Sequence, residues 1–182
     1  DNLRILVGSD GKRGVKTKVE PTLQEAPGVY NDTILAGLDY LLMEMGKRKM
    51  LAVLYLNNSW EWSGGYGYYL EQAGFGKAPL PSIDGYSAFR NFVAKYASCE
   101  KAHQLFYDYV KFILTRTNRY TKKKYKDDPA IMSWQIGNEP RAFSKEQLPA
   151  FEKWLGEASK LIRSLDKNHL ISIGSEGKWG CE

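Results

Sequence analysis

Four short apolar runs, at residues 3–8, 50–56, 131–136 and 170–173, are separated by stretches in which apolar side chains return at helical spacing. The second run, Met50-Leu51-Ala52-Val53-Leu54-Tyr55-Leu56, has no polar alternation, which is the pattern of a strand covered on both faces. Helical stripes follow at Ile34, Leu38, Leu41, Leu42 and Met45, at Ala102, Leu105, Phe106, Tyr109 and Ile113, and at Leu148, Phe151, Leu155, Ala158, Ile162 and Leu165. The resulting order, βαβαβαβ, predicts a parallel sheet with right-handed crossovers. Either a closed barrel or an open doubly wound sheet satisfies it. No GxGxxG or GxxxxGK[ST] pattern follows any strand, which counts against a nucleotide-binding open sheet.

Turn chemistry marks the boundaries. Gly8-Ser9-Asp10-Gly11 ends the first strand, Gly46 is placed to terminate the first helix, and Asp127-Asp128-Pro129 is a turn before the third strand. The third helix has two candidate starts: Ser144 with Gln147 as a capping box, or Pro149 in the first turn. Residues 57–87 are rich in Gly, aromatics and Pro, and read as an overlong, functional loop.

With 182 residues, 43% of them hydrophobic and 13% aromatic, the chain can bury the core of one domain or of a large piece of one. A net charge of +5 on this length reads as solubility rather than as a nucleic-acid or anionic-membrane surface. The densest basic run, Lys122-Lys123-Lys124-Tyr125-Lys126, precedes two aspartates and reads as a solvated loop. Cys99 and Cys181 lack zinc-site or disulfide-framework spacing, and His103 and His169 have no partner spacing for a metal. No stretch approaches the roughly 20 apolar residues of a membrane span. The chain opens inside a strand with no signal-peptide layout, so the expectation is that residues precede Asp1.

The third strand runs into Trp134-Gln135-Ile136-Gly137-Asn138-Glu139-Pro140, which puts a carboxylate at the carboxyl end of a parallel strand, where such folds keep their active sites. An isolated Asn-Glu pair there could equally be ordinary exposed surface. The wider segment decides the reading: Ile131-Met132-Ser133-Trp134-Gln135-Ile136-Gly137-Asn138-Glu139-Pro140-Arg141 closely resembles the acid/base motif of glycoside hydrolase family 5, and Tyr125-Lys126-Asp127-Asp128-Pro129 resembles the lead-in of its mannanases. The resemblance continues through Leu3-Arg4-Ile5 with Gly8-Ser9-Asp10-Gly11, Gly37-Leu38-Asp39-Tyr40-Leu41-Leu42, Leu54-Tyr55-Leu56-Asn57-Asn58 and Ile173-Gly174-Ser175-Glu176-Gly177.

That resemblance implies a (β/α)8 TIM barrel, an α/β fold that needs roughly 250 residues. About half of it would be present, with the whole chain forming part of one catalytic barrel that lacks its first strand and its C-terminal strands. A second polypeptide completing the barrel is one arrangement that would supply them. The implied activity is retaining, endo-acting cleavage of β-1,4-mannan, without a cofactor and outside the cytoplasm, where polymers are met. Glu139 would be the acid/base, starting each cycle protonated, with Asn138 bonding the sugar 2-hydroxyl and Arg4 supporting an ionised nucleophile. The family's nucleophile lies on a later strand; Glu176 resembles a substrate-cleft element instead.

In the loop Ser59-Trp60-Glu61-Trp62-Ser63-Gly64-Gly65-Tyr66-Gly67-Tyr68-Tyr69, Trp60 and Trp62 either stack on sugars or anchor the loop. Asn57 and Asn58 either bond sugar hydroxyls or shape the turn, and Trp179 falls where a cleft aromatic would sit. A related β-glucanase and a non-catalytic glycan-binding barrel fragment remain the alternatives.

Overall fold

The computed structural model describes residues 1–12 and 18–177. Four parallel strands form the central sheet: β1 (Asn2–Leu6), β4 (Leu51–Tyr55), β5 (Ile131–Gln135) and β6 (Leu170–Ser172), paired in that order. Their spatial order is their chain order, with none of the reversal that marks a doubly wound sheet, as expected of consecutive barrel strands. A separate antiparallel hairpin, β2 (Gln24–Ala26) and β3 (Val29–Tyr30), has no counterpart in the sequence reading. It is short and lacks alternation. β1 and β6 pair on one side only among the described residues, and Leu3, Leu170 and Ile173 on or beside them are exposed.

The first crossover helix, α1 (Asp32–Lys47), starts where the Asn31 side chain accepts hydrogen bonds from the N–H groups of Thr33 and Ile34, both at 3.1 Å. It buries Leu35, Leu38, Leu42 and Met45 as one stripe. Gly46 does not terminate it; the helix continues through Lys47 and Arg48 closes it, because Gly46 keeps helical backbone. α5 (Glu100–Thr115) and α6 (Leu148–Leu165) follow the other two stripes. At the start of α6, Gln147 is the N-cap with no side-chain cap bond and Pro149 lies in the first turn, although Ser144 Oγ still accepts from Gln147 N–H at 3.3 Å.

The segment expected to be a long loop is largely helical: α2 (Gly65–Ala73), α3 (Pro81–Asp84) and α4 (Tyr86–Val93) occupy it. Its aromatics carry the core outward from the sheet. Tyr66 stacks on Tyr96 at 4.0 Å and meets Trp154 edge-on at 5.7 Å, and all three are buried. Glycines and prolines in the sequence masked this packing, because they punctuate three short helices rather than one open loop. Both histidines are structural here. His103 Nε2 lies 2.7 Å from the Tyr96 carbonyl, and His169 sits between Asp166 and the Asp128 carbonyl at 2.6 and 2.9 Å.

Two buried acids fasten the connections. Asp39, on α1, accepts from Arg116 at 2.7 and 3.1 Å, from Arg119 at 3.2 Å and from Tyr125 at 2.5 Å. Burial alone would raise its pKa, but these partners outweigh burial and hold it below the usual carboxylate value. Asp10 joins the end of β1 to the hairpin through Gln24 Nε2 at 2.9 Å, and to α2 through Gly65 N–H at 3.4 Å. Complete burial dominates there, and the hydrogen bonds only moderate it, so the carboxyl is pushed up to about 7.

Asp10 therefore binds its proton more tightly folded than unfolded. Its stabilising contribution is complete below about pH 4 and is lost as pH rises through about 7, at about 1.4 kcal/mol per pH unit in between. In urea titrations of the complete protein at pH 5 and pH 8, Asp10→Asn should show a smaller fall in midpoint than the parent. Equal falls in the two proteins would remove Asp10 as the source.

Candidate active site

The carboxyl ends of β4, β5 and β6 continue as a ladder of backbone bonds beyond the regular strands. Ile136 N–H reaches Ser172 O at 2.9 Å, Gly137 N–H reaches Ile173 O at 3.2 Å, and Glu139 N–H reaches Gly174 O at 3.0 Å. From the opposite side, Asn138 N–H donates to Asn57 O at 2.8 Å and Ser59 N–H to Asn138 O at 3.2 Å. The segment carrying Glu139 is thus clamped between both neighbours. Gly174 makes the approach possible: a Cβ there would stand 2.0 Å from Gly137 O, and its φ of +90° suits glycine. Glu139 itself has φ +49°, a left-handed conformation that costs a side-chain-bearing residue about 1–3 kcal/mol and persists only where its surroundings hold it.

Glu139 is half-buried, and its Oε2 accepts from Trp60 Nε1 at 2.6 Å. Trp60 is seated by Phe89, stacked at 6.1 Å, by the edges of Phe143 and Tyr86 at 5.7 and 6.3 Å, and by the Arg141 guanidinium 5.4 Å from its ring centre. Arg141 also forms an ion pair with Glu176.

A polar chain backs the other side. Arg4 donates through Nε to Gln135 Oε1 at 2.6 Å and through Nη2 to Asn138 Oδ1 at 2.9 Å, while lying 4.1 Å over the Tyr55 ring. Burial raises the Tyr55 pKa and Arg4 pulls it back in part, so the ring under the cation is the neutral phenol at ordinary pH. Asn138 Nδ2 donates to Asn58 Oδ1 at 3.2 Å, and Asn58 Nδ2 to Ser63 Oγ at 3.0 Å. A cleft of about 220 Å³ opens over this floor, lined by Arg4, Gln135, Asn138, Glu139, Gly174, Ser175 and Glu176.

Arg4, Asn138, Glu139 and Glu176 therefore meet around one cleft, with Trp60 against Glu139. Asn57 and Asn58 do not face it. Both are fully buried, Asn57 donating to Tyr96 Oη at 3.1 Å and accepting from Asn58 N–H at 2.8 Å, so they shape the turn rather than offer amides to a ligand. Trp62 sits on the next turn, where its carbonyl accepts from Val19 N–H at 2.7 Å, outside the contacts around Glu139. Trp179 lies outside the described residues.

The sequence reading did not single out Gln135, Arg141, Phe89, Phe143 or Tyr86. Gln135 had a signal, as a polar residue closing an apolar strand four positions before Glu139. The aromatics had none, since tertiary packing alone gathers them.

A family model described as "GH family 5 beta-mannosidase-like" matches residues 1–182. Among curated relatives, the chain is 39% identical over 158 residues to a mannan endo-1,4-beta-mannosidase of Solanum lycopersicum and 35% identical to one of Arabidopsis thaliana. Each alignment covers 87% of this chain but only 37% and 35% of the relative, so the chain spans little more than a third of their length. A family 5 mannosidase of Rhizomucor miehei superposes with a TM-score of 0.88 at 36% identity, over 97% of this chain and 42% of its own. An endo-beta-1,4-mannanase of Thermotoga petrophila superposes at 0.77 with 27% identity, over 97% and 36%. Strands, helices and cleft are those of a partial (β/α)8 barrel. The chain belongs to the β-mannosidase-like proteins of glycoside hydrolase family 5.

Proposed function

We propose that the complete protein hydrolyses internal β-1,4-mannosidic bonds of mannan with retention of configuration, with Glu139 as the acid/base. One observation carries this reading: Glu139 stands at the carboxyl end of β5 with one oxygen held by Trp60, on a cleft shared with Arg4 and Asn138. The nucleophile's electron pair forms the bond to C1 as the C1–O pair leaves with the departing oxygen, which takes the proton of Glu139. In the second half-reaction Glu139, now a carboxylate, removes a proton from water as its oxygen bonds to C1 and the C1–nucleophile pair returns to the nucleophilic carboxylate.

The nucleophile is a second carboxylate about 5–5.5 Å away, on strands beyond those present. Arg4 faces the same cleft and would keep that carboxylate ionised. Asn138, whose amide is oriented at the cleft wall by Arg4 and Asn58, would bond the sugar 2-hydroxyl through its remaining donor or lone pair, and Glu176, paired with Arg141, lines the same cleft. The polymeric substrate implies action outside the cytoplasm. No cofactor enters any step.

In the complete protein, Glu139→Gln should lower kcat on mannan by about 10²–10⁴-fold, the usual worth of general acid–base help. Binding of mannohexaose by calorimetry should stay near the parent value. Turnover within about threefold of the parent would sink the assignment. Cleavage of cellulose in preference to mannan would instead favour a glucanase.

Terminal cleavage is separated from internal cleavage by its products. The chain superposes better on the Rhizomucor mannosidase than on the Thermotoga endo-mannanase, 0.88 against 0.77, while its curated relatives are named endo-1,4-beta-mannosidases. Endo action should drop the viscosity of galactomannan well before reducing ends accumulate. Mannose as the sole early product from mannohexaose, with viscosity unchanged, would replace endo by exo action.

A further inference from the structure

Resting on Glu139 as acid/base, we propose that Trp60 is a positioning residue for that group: its indole N–H decides which oxygen of Glu139 carries the proton and holds that oxygen toward the cleft. An indole N–H only donates, and a neutral carboxyl has one hydroxyl and one carbonyl oxygen. The carbonyl oxygen is the stronger acceptor of the two, so in the protonated acid the indole N–H at 2.6 Å favours Oε2 as the carbonyl and leaves the proton on Oε1. Oε1 has no hydrogen-bond partner among the described residues, while Glu139 lines the cleft. The proton is thus left free for a ligand.

Both ends of this bond are fixed. The indole is held by Phe89, Phe143, Tyr86 and the Arg141 cation, and the Glu139 backbone is tied to Gly174. Such fixing counts because misplacement by about 1 Å can cost 10²-fold in rate. As the C1–O bond breaks, the Oε1 proton passes to the departing sugar oxygen and Glu139 becomes an anion, to which the same N–H then donates a stronger, charge-assisted bond. A surface that merely stacks sugars would need no N–H at all.

The two roles separate by leaving group. A sugar oxygen must be protonated as it departs, whereas 2,4-dinitrophenolate leaves without a proton. In the complete protein, Trp60→Phe keeps an aromatic ring in the same surroundings and removes the donor. It should lower kcat/KM on mannotriose about 10–100-fold while leaving kcat/KM on 2,4-dinitrophenyl β-mannoside within about threefold. Parallel losses on both substrates would mean that Trp60 binds sugar or supports the fold, and no loss on either would mean that the bond is idle; each overturns the proposal.

If Trp60→Phe does not melt cooperatively, Phe89→Leu, which loosens the indole, should give the same selectivity at smaller size, and parallel losses there overturn it equally. Glu139→Ala is measured alongside. If Glu139→Ala keeps full activity on mannotriose, the acid/base reading falls and this inference with it; if Glu139→Ala is inactive and Trp60→Phe is unimpaired, only the inference falls.

Discussion

The backbone of residues 136–139 is bonded on both sides at once, to the continuation of β6 through Ser172, Ile173 and Gly174 and to the continuation of β4 through Asn57 and Ser59. The rest of the site depends on this clamp. A strand end with one neighbour can fray or twist, but a segment held from both edges cannot turn its side chains without breaking several buried bonds. That is what allows Glu139 to stay at φ +49°. The flanking N–H groups of Asn138 and Glu139 point to opposite neighbours, and the left-handed residue redirects the chain from strand to loop, so that its own side chain lies over the strand ends. Local strain is here the means of aiming a carboxyl group.

Burial alone does not decide the state of a carboxylate in this fold. Asp39 and Asp10 are both fully buried, yet Asp39 is held low and Asp10 is pushed up to about 7. The difference lies in how deep each carboxyl sits and in its partners. Asp39 faces two guanidinium groups and a phenol, all of which favour the anion. Asp10 is met by neutral donors, the amide of Gln24, one backbone N–H and the Tyr69 hydroxyl at 3.4 Å, while the Lys18 ammonium donates to the Asp10 carbonyl at 2.6 Å and acts on the carboxylate only through its field. The first acid fastens helix α1 to the connection after α5 as a charge, whereas the second joins hairpin, strand and α2 chiefly as a hydrogen-bonding shape.

The parallel strands, the long crossover helices and the position of Glu139 were legible in the sequence because each leaves a periodic or terminal signature. The apolar run through Leu54 says strand, the stripe Leu38, Leu42 and Met45 says helix, and Glu139 follows directly on a strand. What was not legible depends on distant residues meeting. Asn57 and Asn58 read equally as ligand amides or turn formers until Tyr96, Ser63 and Asn138 are seen to occupy them, and those partners lie 39, 5 and 80 positions away. The region of α2 to α4 failed for a different reason. Its glycines and prolines signal breaks, and the signal was right, but three short helices fit between the breaks because Tyr66, Tyr69, Phe89 and Tyr96 bury enough ring surface to hold them.

Charge balance in the cleft carries the synthesis one step further. Arg141 is neutralised by Glu176, and Glu139 is met by an uncharged donor, Trp60. Arg4 differs: its partners among the described residues are the amide oxygens of Gln135 and Asn138 and the face of Tyr55, none of them charged. A guanidinium held so firmly by neutral groups keeps its full charge and its orientation, and it faces the same cleft as Glu139. A carboxylate entering there would gain both an attractive field and a donor already in place, whereas Glu139 is met by the uncharged indole. In the retaining reaction proposed above, the second carboxyl group would enter beside Arg4, whose cation would hold it as an anion, with Glu139 across the same cleft.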